Sequence, residues 1–195
     1  MLKEVIKLNN FYDFSELSKL GLASFGENVL ISRKASIYGA ENIIIGNNVR
    51  IDDFCILSGK IVIGNYIHVA AYTALYGGNH GIVIRDFANL SSRISIFAVS
   101  DDYSGETMTN PMIPDKFKNV LSKEVIIERH VIIGAGSVVL PGIILKEGSA
   151  FGAMTFINKS SEPWSINAGI PFKKIRNRST NLLGKEKKFK EEFNI

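Results

Sequence analysis

The chain has 195 residues, 46% of them hydrophobic, and a formal net charge of +4 at pH 7. This content is too apolar for a disordered chain, and the length fits one domain or at most two. No run approaches the roughly 18 apolar residues of a membrane span, and the first residues lack the apolar core of a signal peptide. A single cysteine excludes an internal disulfide framework. We therefore expect a cytoplasmic protein without a membrane span.

The positive charge is concentrated at the C-terminal end. Residues 172–195 hold eight Lys and Arg against three acidic residues, so the rest of the chain is close to neutral. A neutral body lacks the basic surface that nucleic-acid binding requires. The basic end is expected to be either a solvated terminal helix or a clamp for phosphate groups.

In chain order, residues 1–27 come first and are predicted to form an N-terminal cap. Ser15 is expected to N-cap a short helix, and Gly21 suits the C-terminal end of that helix. The open end of a repeat protein needs such a cover.

Residues 28–170 carry a six-residue repeat. This period fits neither a helix nor a plain strand, but it fits a short strand, a turn and the next short strand, as in a parallel β-helix. Cys55 falls two residues before a repeat position, so we expect a core thiol. The aliphatic or aromatic residues that mark the repeat are Ile31, Ile37, Ile45, Ile51, Leu57, Ile63, Val69, Leu75, Ile84, Leu90, Ile96, Ile127, Ile133, Val139, Leu145, Phe151 and Ile157.

Three six-residue steps make one coil of a three-sided prism, and the markers divide into three faces. Face one contains Ile45, Ile63, Ile84, Ile127 and Leu145. The marker that follows each of these belongs to face two, and the marker after that belongs to face three. Extra residues occur only between face three and face one, so every protruding loop leaves the same corner. The longest loop, 98–124, exceeds the roughly 12–15 residues beyond which a loop is usually functional or disordered.

The residue before each marker points away from the core. On face one these residues form an apolar stripe of Ile44, Val62, Val83, Ile126 and Ile144. Exposed apolar patches of this size usually mark an interface, so we expect the prism to self-associate through face one. On face two the early outward residues are polar, namely Arg50, His68 and Asn89. The repeat ends after Ile157, and residues 171–195 are predicted to be a basic extension that contains a helix.

The segments IGNNVRIDDF, IGNYIHVAAYTAL, HVIIGAGSVVLPGIILKEGSAFGAMTFINKS and AGIPFKKIRNR resemble the hexapeptide-repeat acyltransferases. The resemblance covers residues 28–178. It implies an all-β fold, a left-handed parallel β-helix with short terminal helices, acetyl-CoA as donor, no metal, and a homotrimer with active sites between neighbouring prisms.

Two further segments, SDDYSGETMTNP and ELSKLGLASFGENVLIS, are similar to small acetyltransferases of bacterial surface-polysaccharide synthesis. This similarity favours N-acetylation of a nucleotide sugar of the dTDP-4-amino-4,6-dideoxyglucose type. An O-acetyltransferase of a galactoside or polysaccharide sugar remains an alternative, as does a non-catalytic assembly protein. A zinc-dependent carbonic anhydrase on the same fold is disfavoured, because the three histidines lie 12 and 50 residues apart.

The galactoside-type family has a catalytic histidine in a Gly-His-Pro segment, where this chain has Ser100, Asp101 and Asp102. The base must therefore be sought elsewhere. His68, His80, Asp101 and Asp102 are the candidates for proton transfer, and catalysis without any base from the protein is the remaining alternative. His130 is expected to be exposed at a coil turn.

The substrates need binding residues beside that base. Arg50 and Asn89, on the coils beside His68, and Tyr103 in the long loop are candidates for binding the acceptor. For the donor, small residues of the late coils would admit the pantetheine arm, Pro171 belongs to the family's Gly-Ile-Pro turn, and basic residues would meet the CoA phosphates. These donor-binding candidates are Gly134, Ala135, Gly136, Gly152, Ala153, Lys159, Pro171, Lys173 and Arg176.

Overall fold

The computed structural model describes residues 10–194, so the first nine residues of the predicted cap lie outside the described part of the chain. Nearly all of its regular structure is β, in short parallel strands that repeat along a solenoid. The expected fold class, an all-β parallel β-helix with short terminal helices, is confirmed. None of the described helices has the length and apolar content needed to cross a bilayer.

The strands follow the three faces in turn. Face one is built from β1 (Ser24–Phe25), β4 (Ile43–Ile45), β13 (Val125–Ile127) and β16 (Ile144–Leu145). Face two has β2 (Val29–Ile31), β5 (Val49–Ile51), β7 (Ile67–Val69), β9 (Asn89–Leu90), β14 (Ile132–Ile133), β17 (Ala150–Phe151) and β19 (Ser165–Ala168), closed by the antiparallel β20 (Lys173–Asn177). Face three has β3 (Ser36–Tyr38), β10 (Ser95–Phe97), β15 (Val138–Val139) and β18 (Phe156–Ile157).

Two longer strands, β6 (Ile56–Ile63) and β8 (Ala74–Ile84), run from face three around the corner onto face one. The register agrees with the repeat: Ile44 pairs with Val62, Val62 with Val83, and Ile126 with both Val83 and Ile144. The apolar stripe of face one is thus one continuous column. Face two aligns Arg50 with His68 and His68 with Asn89 in the same way.

The repeat residues fill the interior of the prism. Sixteen of the seventeen markers are buried, and Ile37 in the first coil is partly buried against them. Burying an aliphatic side chain of this size contributes roughly 1.5–3 kcal/mol, so the stacked markers supply a core without help from helices. Cys55 belongs to this core, since it is fully buried.

The long loop leaves the corner between face three and face one on a short stem. β11 (Val99–Ser100) pairs antiparallel with β12 (Leu121–Ser122), and a bridge joins Met108 to Lys118 further out. A 3₁₀ turn, Asp115–Phe117, lies near the end of the loop. The segment is therefore an organised hairpin anchored at the corner from which it protrudes.

The N-terminal helix α1 (Phe14–Leu17) begins earlier than expected. The predicted N-cap Ser15 is wrong, because the Asp13 side chain accepts from the Glu16 backbone N–H and the Glu16 side chain accepts from that of Asp13. This reciprocal capping box fixes the start of the helix at Phe14.

The C-terminal helix α2 (Leu182–Phe193) packs along the corner between face one and face two. Three flat rings stack there on successive coils: Tyr66 on Phe87 at 5.1 Å, and Phe87 on His130 at 5.2 Å. Phe189 of α2 meets Tyr66 edge-on at 5.3 Å. The helix is held by a preformed aromatic ladder, in the edge-to-face geometry that aromatic pairs favour.

His130 is predicted above to be exposed, and that prediction is wrong because α2 covers it. The residue is 8% exposed, and its Nε2 lies 2.8 Å from Glu186 Oε2 on the helix. Arg129 and Lys190 also contact this carboxylate. Burial, the largest influence, raises the pKa of Glu186, but hydrogen bonds from Lys190 and His130 and the charge of Arg129 outweigh it and lower the pKa.

Glu186→Gln should therefore loosen α2. We expect a loss of stability of up to about 2 kcal/mol near pH 7, because hydrogen bonds to a charged group are removed. The folded pKa lies below the ordinary 4.5, so this contribution is present above 4.5 and lost as the pH falls through the folded value. Denaturation from pH 7 to pH 3 should show the difference between parent and variant vanish in acid. Glu191→Gln, at an exposed position of the same helix, is the control, and an equal effect there would contradict the assignment.

Candidate active site

A groove of about 890 Å³ lies at the corner between face three and face one, beneath the long loop. Its floor is made by outward side chains of face three, and its roof by the loop. The lining residues are Ser58, Tyr76, Phe97, Val99, Ser100, Asp101, Tyr103, Asn110, Pro111, Lys118, Val120, Val138 and Leu140. This groove brings together two of the predicted site residues, Asp101 and Tyr103.

The floor of the groove is a column of side chains one residue beyond the face-three markers. Tyr76 and Phe97 lie on adjacent coils, and their rings stack at 5.1 Å with 13° between the planes. Ser58 precedes Tyr76 in this register. Sequence reasoning missed these three residues, although the signal existed: each follows a buried marker directly before the corner where the loops protrude.

The two adjacent carboxylates have different surroundings. Asp102 accepts hydrogen bonds from the Ser104 backbone N–H and the Thr107 hydroxyl, both at 2.8 Å. The bond from the Ser104 backbone, followed by those of the Ser104 and Thr107 side chains, lowers the pKa of Asp102. Its carboxylate closes a turn within the loop. Asp101 is exposed and lines the groove, so it is the carboxylate positioned to meet a ligand.

His80 lies outside the lining of the groove. Its Nδ1 is 2.8 Å from the Ser122 hydroxyl, at the base of the loop stem. The contact joins β8 to β12, so in this structure His80 anchors the loop to the coil.

His68 is on face two, where its Nε2 lies 2.7 Å from Asp52 Oδ2. Arg50 Nε donates to the other oxygen of Asp52 at 2.7 Å. Burial, the largest influence, raises the pKa of Asp52, yet these two partners together lower it. Asn89 lines a separate cavity of about 440 Å³ under α2. The structure of one chain therefore does not bring His68, Arg50 or Asn89 to the groove that holds Asp101.

The glycines predicted to admit the donor have a structural reason to be small. A Cβ on Gly134 would collide with the backbone of Ala153, which cannot move aside, whereas Gly136 has a φ of 73°, a left-handed conformation that favours glycine. The coil above therefore fills the space that a side chain would need at Gly134, and the backbone turn excludes one at Gly136. Stacking of the coils demands glycine here whether or not a ligand passes. Ala135, Gly152 and Ala153 belong to the same turns.

The basic candidates lie at the C-terminal end of the prism. Lys173 and Arg176 are exposed on β20, the last strand of its sheet. Lys174 between them is paired with Glu162 at 2.6 Å. Lys159 Nζ sits over the Phe172 ring at 5.4 Å, and Pro171 follows a cis peptide bond from Ile170. Lys173 and Arg176 are thus open to an anionic ligand, whereas Lys174 is neutralised.

Burial raises the pKa of the Cys55 thiol to about 11, which keeps it protonated and unreactive near neutral pH. No cluster of three or more His, Cys, Asp or Glu side chains suited to a metal ion occurs within the described residues 10–194.

Comparison with known proteins agrees with the fold. No protein-family model matches the chain. It is 49% identical over 183 residues to the dTDP-4-amino-4,6-dideoxy-D-glucose acyltransferase of Escherichia coli, a match that covers 92% of this chain and 95% of that protein. Galactoside acetyltransferase in complex with coenzyme A, with a TM-score of 0.55 and 19% identity over 88% of this chain and 76% of that one, shares the fold.

The N-acyltransferase AntD of Bacillus cereus is much more similar. Its complex with dTDP and 3-hydroxybutyryl-CoA superposes with a TM-score of 0.94 and 51% identity, covering 96% of this chain and 100% of that one. A variant of AntD in complex with dTDP-4-amino-4,6-dideoxyglucose and coenzyme A gives a TM-score of 0.93, also at 51% identity, over 95% of this chain and 100% of that one.

The fold and the similarity to these enzymes therefore show a hexapeptide-repeat acyltransferase that uses a CoA thioester. Within that class, the chain belongs to the family of dTDP-4-amino-4,6-dideoxyglucose acyltransferases, since its identity to the E. coli enzyme extends over nearly the whole of both chains. The resemblance carried by the sequence segments is confirmed.

Proposed function

We propose that this protein transfers an acyl group from a CoA thioester to the 4-amine of dTDP-4-amino-4,6-dideoxyglucose. The observation that carries the proposal is the match, at 51% identity over almost all of the chain, to an N-acyltransferase structure holding that sugar nucleotide and coenzyme A. Acetyl and 3-hydroxybutyryl are the two acyl groups to test, because AntD is also described with 3-hydroxybutyryl-CoA.

The reaction forms one bond and breaks another. The amine nitrogen attacks the thioester carbonyl carbon, the C–N bond forms, the C–S bond breaks, and CoA leaves as a thiolate that takes up a proton. The nitrogen loses a proton in this process. Once the C–N bond has formed, the nitrogen is strongly acidic, so even a carboxylate can accept that proton. Asp101 in the groove fits this role, and Tyr103 on the loop lies close enough to the same groove to contact the sugar.

The donor is proposed to lie along the late coils, with its phosphates at the basic end of the prism. Lys173 and Arg176 are exposed there, and charge-assisted hydrogen bonds to phosphate are the strong kind. With its phosphates held at this end, the CoA molecule would extend along the coils so that its thioester lies near the groove.

The functional unit is proposed to be a homotrimer. The face-one stripe is 42% exposed at Ile44 and half-buried along Val62, Val83, Ile126 and Ile144 in a single chain. Covering this column with a second prism would bury it. It would also place a neighbour beside the corner that carries the long loop.

The function is tested by incubating purified protein with acetyl-CoA or 3-hydroxybutyryl-CoA and the amino sugar nucleotide, while free thiol is measured. We expect thiol release that depends on the amine. The matched sugar nucleotide with a 4-hydroxyl group is the control. Turnover of the hydroxyl compound alone would favour an O-acyltransferase, and no turnover of either would contradict the proposal.

Asp101→Asn should lower turnover by about 10²–10⁴, the usual cost of losing a general base, while both Michaelis constants change little. Asp102→Asn is the matched neighbour, because an amide oxygen can still accept the bond from Ser104. Its turnover should stay within about tenfold of the parent. If the two variants exchanged these results, the assignment of Asp101 would be wrong.

Reversing Lys173 and Arg176 together to Glu should raise the Michaelis constant for acyl-CoA at least about tenfold, since removing one charge-assisted hydrogen bond costs roughly 1.5–3 kcal/mol. The constant for the sugar nucleotide should not follow. Lys174→Glu, at the neutralised position between them, should have the smaller effect. Unchanged affinity for acyl-CoA in the double variant would leave these residues with a capping role alone.

Val62→Asp should dissociate the trimer, because an unpaired charge would be buried in the middle of the proposed interface. Light scattering measures the mass directly. Lys19→Asp, an exposed change of charge on the cap, is the control and should remain trimeric. A variant at Val62 that keeps the parent mass would place the interface on another face.

A further inference from the structure

We propose that the glycine-rich insertion at residues 77–81 holds the stem of the long loop, and that His80 within it is a positioning residue for Asp101. This role rests on the proposed function, because Asp101 is the carboxylate to which proton transfer is assigned there. The insertion supplies the three extra residues that separate Leu75 from Ile84 beyond the six-residue period. These residues would thus serve the reaction rather than the stacking of the coils.

The insertion lies between β6 and the stem formed by β11 and β12. A Cβ on Gly77 would collide with the backbone carbonyl of Lys60 in β6, so the insertion rests directly on the preceding coil. A Cβ on Gly78 would lie 3.2 Å from the Val99 Cβ and 3.7 Å from the Ser122 Oγ. Val99 and Ser122 are the first residue pair of the stem. The backbone at Gly78 therefore packs closely against both strands of the stem.

His80 adds a polar contact to this packing, since its Nδ1 lies 2.8 Å from the Ser122 hydroxyl. At the foot of the stem, the Lys123 backbone N–H donates to the Ala98 carbonyl at 2.9 Å. The stem itself has two residues in each strand, and a two-stranded ribbon is marginally stable in water on its own. Contacts with the coil are therefore needed to fix the direction in which the stem leaves the corner.

Asp101 depends on that direction because it directly follows β11 in the chain. Val99 of this strand packs against Gly78, Ser100 pairs with Leu121, and the next residue is Asp101. A movement of the stem is thus passed to the carboxylate over one or two residues. A displacement of about 1 Å at a reacting group can cost on the order of 10²-fold in rate. Loosening the contact of His80 should accordingly slow turnover through Asp101.

The alternative role for His80 is that of the base itself, and an asparagine separates the two roles. The side-chain amide of Asn reaches the place of the imidazole Nδ1 and can still exchange a hydrogen bond with Ser122. It cannot accept a proton from the substrate near neutral pH. A positioning residue therefore tolerates His80→Asn, whereas a general base does not.

The first experiment measures turnover and Michaelis constants with acyl-CoA and the amino sugar nucleotide. His80→Ala should lower turnover about 10–10²-fold and leave the Michaelis constant for acyl-CoA within about threefold of the parent. His80→Asn should restore turnover to within about fivefold of the parent. Asn79→Ala, at the exposed neighbouring position, is the control and should match the parent. Parent-like turnover in His80→Ala, or an equal loss in His80→Asn, would overturn the positioning role.

A double-mutant cycle tests whether His80 acts through Asp101. In the Asp101→Asn background, adding His80→Ala should lower turnover by less than about twofold, because the place of a group that cannot take the proton no longer matters. If His80→Ala costs the same factor in both backgrounds, the two residues act independently and the proposal is wrong.

Hydrogen exchange of the backbone amides gives a readout that does not depend on turnover. In His80→Ala the stem amides, such as that of Lys123, should exchange faster than in the parent or in Asn79→Ala, while the coil amides stay unchanged and report on folding. Unchanged exchange of the stem would overturn the role of the insertion. A parent protein that turns over neither sugar nucleotide would contradict the proposed function, and faster exchange in His80→Ala would still show that the insertion holds the stem.

Discussion

The structure depends on one constraint, which is that every coil must stack on the next at the spacing of hydrogen-bonded parallel strands. Backbone bonds such as Ile56 N–H to the Thr73 carbonyl, at 2.9 Å, fix that spacing along the whole prism. Residues at one position of successive coils therefore form rigid columns about 4.8 Å apart. Inside, such columns make the aliphatic core; outside, they make the apolar stripe of face one, the aromatic ladder under α2 and the floor of the groove.

The same constraint explains how much of the fold the sequence predicts. A six-residue period with few exceptions determines which side chains point inward, which faces they share and at which corner insertions leave. The two local errors arise where other contacts decide. Asp13 rather than Ser15 caps the first helix because Glu16 completes the capping box. His130 sits in a turn with a φ of 59°, and contacts distant in sequence bury it, with Phe87, Trp164 and Glu186. The hand of the coil has no signature in the spacing and is implied only by the family resemblance.

The candidate site is less predictable, because its residues are chosen by the conformation of the long loop. Asp101 and Asp102 are equivalent in sequence. Ser104 and Thr107 separate them, since their bonds to Asp102 turn that carboxylate into the loop and leave Asp101 for the groove. His68 and His80 are candidate bases by residue type, yet each contacts a structural partner. His80 contacts Ser122, and His68 contacts Asp52. Residue type alone could not show these partners.

The division between coil and loop also bears on how such a site achieves selectivity. A column of Ser58, Tyr76 and Phe97 is fixed by backbone pairing on both sides, so it can discriminate a ligand by shape with little rearrangement. The loop is joined to the coil through the two-stranded stem and the contact between His80 and Ser122. A group carried on such a loop can be brought to the reacting atoms without disturbing the stack beneath. Because the floor belongs to the coil and Asp101 belongs to the loop, ligand binding and proton transfer could be altered independently in the proposed site.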